Sequence, residues 1–194
     1  MLSNALIYLI NVVFGLFSVA LLLRFYLQWV KAPHRNPLSD FLRALTDFMV
    51  RPARRVIPGL WGLDLATLVV AWLVQLLELF IVYQILGYNA GPEAGVVFVA
   101  FLLLAIVVLV RITLYILMVA VIVQVVLSWL GSYSPLSPLL NSMTRPFLRV
   151  FQRRIPPIGN VDLSPLFVLV VIQLLLMLPV AWAEGMLIAA TRLH

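Results

Sequence analysis

Long apolar runs, separated by shorter stretches that are polar or amphipathic, organise this chain. Leu2 to Val30 is apolar almost throughout and predicts a first transmembrane helix, longer than the roughly 20 residues needed to cross hydrocarbon. Arg24, Tyr26, Trp29 and Lys31 gather at its far end and read as an aromatic and cationic interface anchor. Asn11, near its middle, reads as a polar group for helix packing. The run has no basic leading segment, is too long for a signal-peptide core and lacks a small-residue cleavage site, so it is expected to be retained.

The period then changes. Asn36-Pro37 supplies an N-cap followed by proline at the first helical position. Leu38, Phe41, Leu42, Leu45 and Phe48-Met49 recur at helical spacing, while Ser39, Asp40, Arg43, Thr46 and Asp47 face the other way. That pattern predicts an amphipathic helix in the plane of the headgroups. Pro52 is expected to bend or end it, with the basic run Arg51, Arg54 and Arg55 following directly.

Leu65 to Leu86 predicts a second transmembrane helix, capped by Asp64. Gln75 and Glu78 lie inside it, Glu78 about 21 Å of helical rise past the cap. An intramembrane carboxylate is a functional candidate, though it also fits a neutral or helix-paired group. A short polar turn, Gly87 to Glu93, follows.

Ala94 to Leu130 is apolar apart from Arg111 and Gln124, too long for one crossing and short for two. Charge decides between them. The flanking connectors carry about six and about four Lys/Arg and the Gly87–Glu93 turn none, so the positive-inside rule wants both connectors in the cytoplasm and both termini outside. On that topology the crossing runs from about Arg111 to Leu130, with Arg111 snorkelling to the outer interface. Residues 95–110 then continue the helix at a tilt, lie along the outer surface, or pack on a partner subunit. Arg111 and Glu184 come to similar depths, about 28 and 31 Å from the cytoplasmic side, within reach of a pair.

The second connector repeats the design with a shorter amphipathic helix. Ser137-Pro138 opens it, Leu139, Leu140 and Met143 form its apolar face, Arg145-Pro146 closes it, and Arg149, Arg153 and Arg154 add charge. Asp162-Leu163-Ser164-Pro165 carries two cap-competent side chains and a proline suited to a first helical turn. A fourth helix, Leu166 to about Ala190, contains Pro179, which should kink it unless a neighbour satisfies the freed carbonyl.

The two connectors say nearly the same thing. Met49-Val50-Arg51-Pro52 lines up with Met143-Thr144-Arg145-Pro146, Arg54 to Pro58 with Gln152 to Pro156, Asp64 with Asp162, Trp29 with Trp129 and Gln75 with Gln173. The separation drifts between about 94 and 100 residues, which reads as a tandem duplication with small insertions. Each unit is an apolar helix, a basic amphipathic linker and a second apolar helix: residues 1–90, then 91–194 with the extra apolar segment 95–110. The fold class is an all-α membrane protein with about four transmembrane helices.

Composition agrees, with 64% hydrophobic and 10% charged residues against about 45–50% and 25% in soluble domains. The absence of cysteine removes disulfides and thiolate metal sites, and the two histidines, His34 and His194, have no ligand neighbours at helical spacing. No catalytic Ser-His-Asp set or phosphate-cradling glycine loop appears, so no enzyme, metal or cofactor is expected. Nucleic acid is not an expected partner, because the arginines face anionic headgroups without a stacking surface.

The arginine clusters carry the best functional signal. In one reading they fix topology and hold anionic lipid, at about 1 kcal/mol per basic residue. In the other, Arg51, Pro52, Arg54 and Arg55 with Arg145, Pro146, Arg149, Arg153 and Arg154 form a docking platform for a cytoplasmic partner or one headgroup, shaped by bracketing prolines.

The doubled pattern, NPLSDFL…VRPARRVIPGLWGLDLA and SPLSPLL…TRPFLRVFQRRIPPIGNVDLSPL, resembles the YggT family of bacterial inner-membrane proteins, with YlmG relatives in Gram-positive bacteria, cyanobacteria and plastids. The first copy departs from the motif where Leu65-Ala66-Thr67 stands in place of Leu163-Ser164-Pro165, so its return helix is expected to begin differently. The resemblance implies a small multispanning protein linked with osmotic-stress tolerance, with division and nucleoid or septum organisation, and in plastids with maturation of a b-type cytochrome complex. Together these readings point to a membrane scaffold or assembly factor, oligomeric or bound to a membrane protein. The rival is a small channel or transporter with Gln75, Glu78, Gln124 and Gln173 along its path.

Overall fold

A computed structural model describes residues 1–33, 36–59, 62–87, 94–130, 136–154 and 162–191. Helix α1 spans Leu2–Trp29, α2 Pro37–Val56, α3 Leu65–Ile85, α4 Ala94–Leu130, α5 Ser137–Gln152 and α6 Ser164–Leu175. A π-helical turn, Leu176–Val180, leads into α7, Ala181–Thr191. Four helical stretches are long and apolar enough to cross a membrane: α1, α3, α4 and the continuous run from Ser164 to Thr191. The turn predicted to follow Gly87, both histidines, and the bracketing Pro156-Pro157 lie outside the described residues.

Bundle packing uses small side chains. Ala20 on α1, Ala66 and Ala71 on α3, and Ala100, Ala105 and Ala120 on α4 are all buried. In lipid the association of helices depends on close van der Waals contact rather than on expulsion of water, and a methyl side chain lets backbones approach. Large residues such as Leu73, Leu77, Phe80 and Val99 are left exposed, the face that meets acyl chains.

The α4 helix settles the fate of residues 95–110. The helix is unbroken, and Val97, Ala100, Leu104, Ala105, Val108 and Leu109 are buried within the bundle. Tyr83 of α3 meets Phe101 edge to face at 5.1 Å, and the Trp72 indole donates to the Leu102 carbonyl at 3.1 Å. Of the three expected fates of residues 95–110, the structure shows the continued helix. At 1.5 Å per residue α4 is about 55 Å long against about 30 Å of hydrocarbon, so a steep tilt or an overhang is built into it.

Asn36 caps α2 as its sequence predicts, its Oδ1 accepting from the Ser39 N–H at 2.8 Å. Helix α2 then buries Leu42, Thr46 and Val50, four residues apart on one face. Phe41 and Phe48 are exposed beside that face. Two expectations fail. Thr46, assigned to the outer face, is fully buried; its hydroxyl donates to the Leu42 carbonyl at 2.6 Å, which removes the cost of an unpaired polar group. Nor does Pro146 close α5, inside which it lies; Pro52, expected to bend or end α2, does not end it. Both are exposed, where water or headgroups can take the carbonyl freed four residues back.

Both amphipathic helices sit at the same end of the bundle. One apolar cluster joins Tyr26 and Leu27 of α1, Leu42 of α2, Ala120 of α4, and Leu139, Leu140 and Met143 of α5. The Tyr26 hydroxyl donates to the Met143 carbonyl at 2.5 Å, fixing α5 against the end of α1. Pro179 is accommodated by the π-helical turn, where the Ala181 N–H reaches the Leu176 carbonyl.

Candidate functional site

Each amphipathic helix is pinned to its bundle by a polar frame, and the frames match. In α2 the buried Thr46 hydroxyl accepts from Arg24 Nη1 at 2.7 Å; in α5 the buried Thr144, which bonds the Leu140 carbonyl at 2.9 Å, donates to Gln124. At the far end of α2, Arg54 bonds Asp64; at the far end of α5, Gln152 donates to Asp162 at 2.8 Å. Thr46 and Thr144, Arg54 and Gln152, and Asp64 and Asp162 are each separated by about 98 residues.

That constant spacing corrects the matching of the Arg-Pro pairs. Helices α2 and α5 run through their prolines without a break, so no slip of four residues fits between Thr46 and Arg54. In three dimensions Asp47 corresponds to Arg145, and Arg51 to Arg149. Arg51-Pro52 and Arg145-Pro146 are thus separate features rather than copies.

Charge is distributed differently in the two frames. Arg24, expected to reach outward as an anchor, is buried beneath α2, 2.8 Å from Asp47 Oδ1, while Arg51 Nη2 lies 2.8 Å from the other carboxylate oxygen. Burial works to raise the Asp47 carboxyl, but the guanidiniums of Arg24 and Arg51 outweigh it and hold the group below the ordinary carboxylate range. A cavity of about 420 Å³ opens between α1 and α2, lined by Arg24, Arg43, Arg51 and Arg54, with Asp47 its one carboxylate among the described residues. Around Thr144 the partners are neutral: Gln124 Nε2 donates to Asn141 Oδ1 at 2.8 Å.

The two return helices begin differently, as the departure at Leu65-Ala66-Thr67 anticipates. Asp64 is the N-cap of α3 and accepts from the Thr67 N–H at 3.4 Å and its hydroxyl at 2.5 Å. Desolvation pushes Asp64 up, and its bonds to Arg54 and Thr67 bring it below the usual range. Asp162 lies one residue before the cap of α6, its Oδ1 accepting from the Ser164 N–H at 2.8 Å. Burial opposes ionisation there too and is outweighed by Ser164 and Gln152. The Ser164 hydroxyl is fully buried with no partner among the described residues, and Pro165 occupies the first turn.

Of the other arginines singled out in the sequence, Arg55, Arg145, Arg149, Arg153 and Arg154 are exposed. Arg54 is tied to Asp64 and belongs first to the frame.

Inside the bundle the polar residues form two groups. Ser18 Oγ donates to the Gln75 side chain at 3.3 Å, and Gln75 Nε2 donates to Glu78 at 2.7 Å. Arg111 bonds Glu184 Oε2 of α7 at 2.9 Å, the pair that their matching depths anticipate. It stands within electrostatic range of Glu78. Gln124 belongs to the α5 frame, and Gln173 faces outward on α6, so neither joins Gln75 and Glu78.

The residue that the sequence hid is Arg24. Matching Trp29 to Trp129 puts Arg24 over Gln124, and a cation aligned with an inward polar group is the available signal. Among the described residues no cluster of His, Cys, Asp or Glu is arranged to hold a metal.

Comparison with known proteins places this architecture. The CCB3/YggT family matches residues 3–85 and 100–183, one stretch for each unit. An uncharacterized protein of Pseudomonas aeruginosa is 37% identical over 91% of this chain and 89% of its own length. An uncharacterized protein of Vibrio alginolyticus is 31% identical over 88% and 90%, and the uncharacterized YggT of Escherichia coli K12 27% identical over 89% and 87%. No solved structure matches the chain. With both of its units matched and relatives aligned along nearly the whole length, the chain belongs to the CCB3/YggT family.

Proposed function

We propose that this protein is a non-enzymatic scaffold or assembly factor of the bacterial inner membrane, holding anionic phospholipid and a protein partner on its two amphipathic helices. On this reading both connectors face the cytoplasm, both termini face outward, and the chain works as a homo-oligomer or beside another membrane protein. The observation that carries it is the pairing of two arginine-bearing interfacial helices at one end of the bundle, joined by a single apolar cluster. Anionic headgroups would lie against Arg51, Arg55, Arg145, Arg149, Arg153 and Arg154, while Arg54 holds the frame. The links with osmotic-stress tolerance and division that the resemblance implies fit a protein that organises others at the membrane surface.

A second reading has its own support. Gln75 bonded to Glu78, and Arg111 bonded to Glu184, put ionisable groups inside the bundle, where they often mark an ion or proton path. One experiment separates the two. In liposomes containing phosphatidylglycerol, Arg→Ala changes at the six exposed arginines should abolish added anionic-lipid and partner capture and leave insertion intact. Unchanged capture, together with an ion flux that Glu78→Gln removes, would replace the scaffold with a channel.

A further inference from the structure

We infer that the cavity between α1 and α2 is a specific binding site for a phosphate group, presented by an anionic phospholipid of the leaflet in which α2 lies. The inference rests on the reading of α2 as a membrane-surface element and adds to it a defined pocket in the first unit alone.

Among the described residues four guanidiniums line this cavity and one carboxylate answers them. Asp47 is already shared between Arg24 and Arg51, and Arg54 is engaged by Asp64 from outside the cavity. Among the described residues Arg43 has no carboxylate partner. Arg43, Arg51 and Arg54 are exposed at the cavity's mouth, so the excess positive charge faces the surface and attracts an anion. Arg24 sharpens the requirement. It is 9% exposed and rooted on a transmembrane helix, so it cannot swing into water as a surface arginine does.

The geometry favours phosphate over a simple counterion. Arg24 meets Thr46 and Asp47 through Nη1, and among the described residues no partner takes its Nε and Nη2. That edge of a guanidinium is the fork that matches two oxygens of a phosphate. Leu27 and Leu42, both buried, form an apolar part of the wall, suited to the carbon skeleton that carries a lipid phosphate. The volume of about 420 Å³ exceeds what a lone ion fills and falls in the usual range for small-ligand sites.

The second unit shows what the same frame looks like without the site. Gln124 stands for Arg24, Asn141 for Arg43 and Arg145 for Asp47, and the amides satisfy one another.

The test uses the full chain in lipid nanodiscs and in lipid-free detergent. Phosphatidylglycerol, cardiolipin and phosphatidylcholine are offered in the first, inorganic phosphate in the second. Native mass spectrometry reads retained lipid, and thermal unfolding reads protection. Wild-type protein should retain one anionic phospholipid per chain, and Arg43→Gln with Arg51→Gln should lower retention about tenfold or more. Arg145→Gln with Arg149→Gln should weaken association with anionic vesicles but leave that single lipid in place. Protection by inorganic phosphate that depends on Arg43 and Arg51, without lipid retention, would support the phosphate site and overturn its lipid source. If vesicle association proves independent of every arginine while this dependence persists, the surface platform fails and the site stands. Equal retention in both double variants, or equal loss, would overturn the site.

Discussion

The first and second units hold their amphipathic helices in one way and charge them in two. In each, a buried threonine bonds back to its own helix and onward to a long polar side chain of a transmembrane helix. In each, the helix end is tied to the aspartate that opens the return helix. The difference lies in what surrounds the threonine: Arg24 and Asp47 in one unit, Gln124 and Asn141 in the other. Docking needs only matched hydrogen bonds, so the guanidiniums gathered at the first cavity exceed what the frame requires.

Removing the buried cation gives the largest predicted contrast. Arg24→Ala takes one of two guanidiniums from the half-buried Asp47, leaving it Arg51, and should cost about 1.5–3 kcal/mol of stability, against about 1 kcal/mol for Gln124→Ala, which breaks neutral hydrogen bonds. Thermal unfolding in detergent measures both, and equal losses would mean that the first frame is no more electrostatic than the second.

Acidification should produce a smaller contrast of the same kind. Asp47 and Asp64 sit below their ordinary range because Arg24, Arg51, Arg54 and Thr67 outweigh the burial that would raise them. A carboxylate depressed in the folded state contributes stability that is complete above its unfolded value and is lost as pH falls through the folded one. Hydrogen exchange should therefore show α2 loosening below about pH 4, ahead of α5, whose frame includes one carboxylate, the exposed Asp162. Simultaneous loosening would contradict the assignment.

How far the sequence could be read follows from these particulars. Apolar runs marked the four membrane-crossing stretches, the Asn36-Pro37 signal marked the start of α2, and the basic residues put both connectors on one side through parity. Local rules failed where tertiary context decides. Proline as a helix breaker misplaced the end of α5 and left that of α2 open, because at Pro52 and Pro146 the freed carbonyl lies on an exposed face. Polarity misplaced Thr46, whose hydroxyl is satisfied by its own helix, and Arg24, whose partners are some twenty residues away in sequence. The Arg-Pro motif misaligned one block because identical letters outweighed the register of about 98 residues that Arg54 with Gln152 and Asp64 with Asp162 already share. The Arg111–Glu184 pair was legible from depth alone, whereas the course of residues 95–110 was not, because their length fits neither one crossing nor two.

The central claim is that both arginine-bearing helices lie on the cytoplasmic face. Because the chain has no cysteine, Arg55→Cys, Arg154→Cys and Ser3→Cys can each be probed alone with a membrane-impermeant maleimide in intact cells. The account predicts that positions 55 and 154 react only after permeabilisation and position 3 reacts before it. Labelling of either arginine position in intact cells would contradict it.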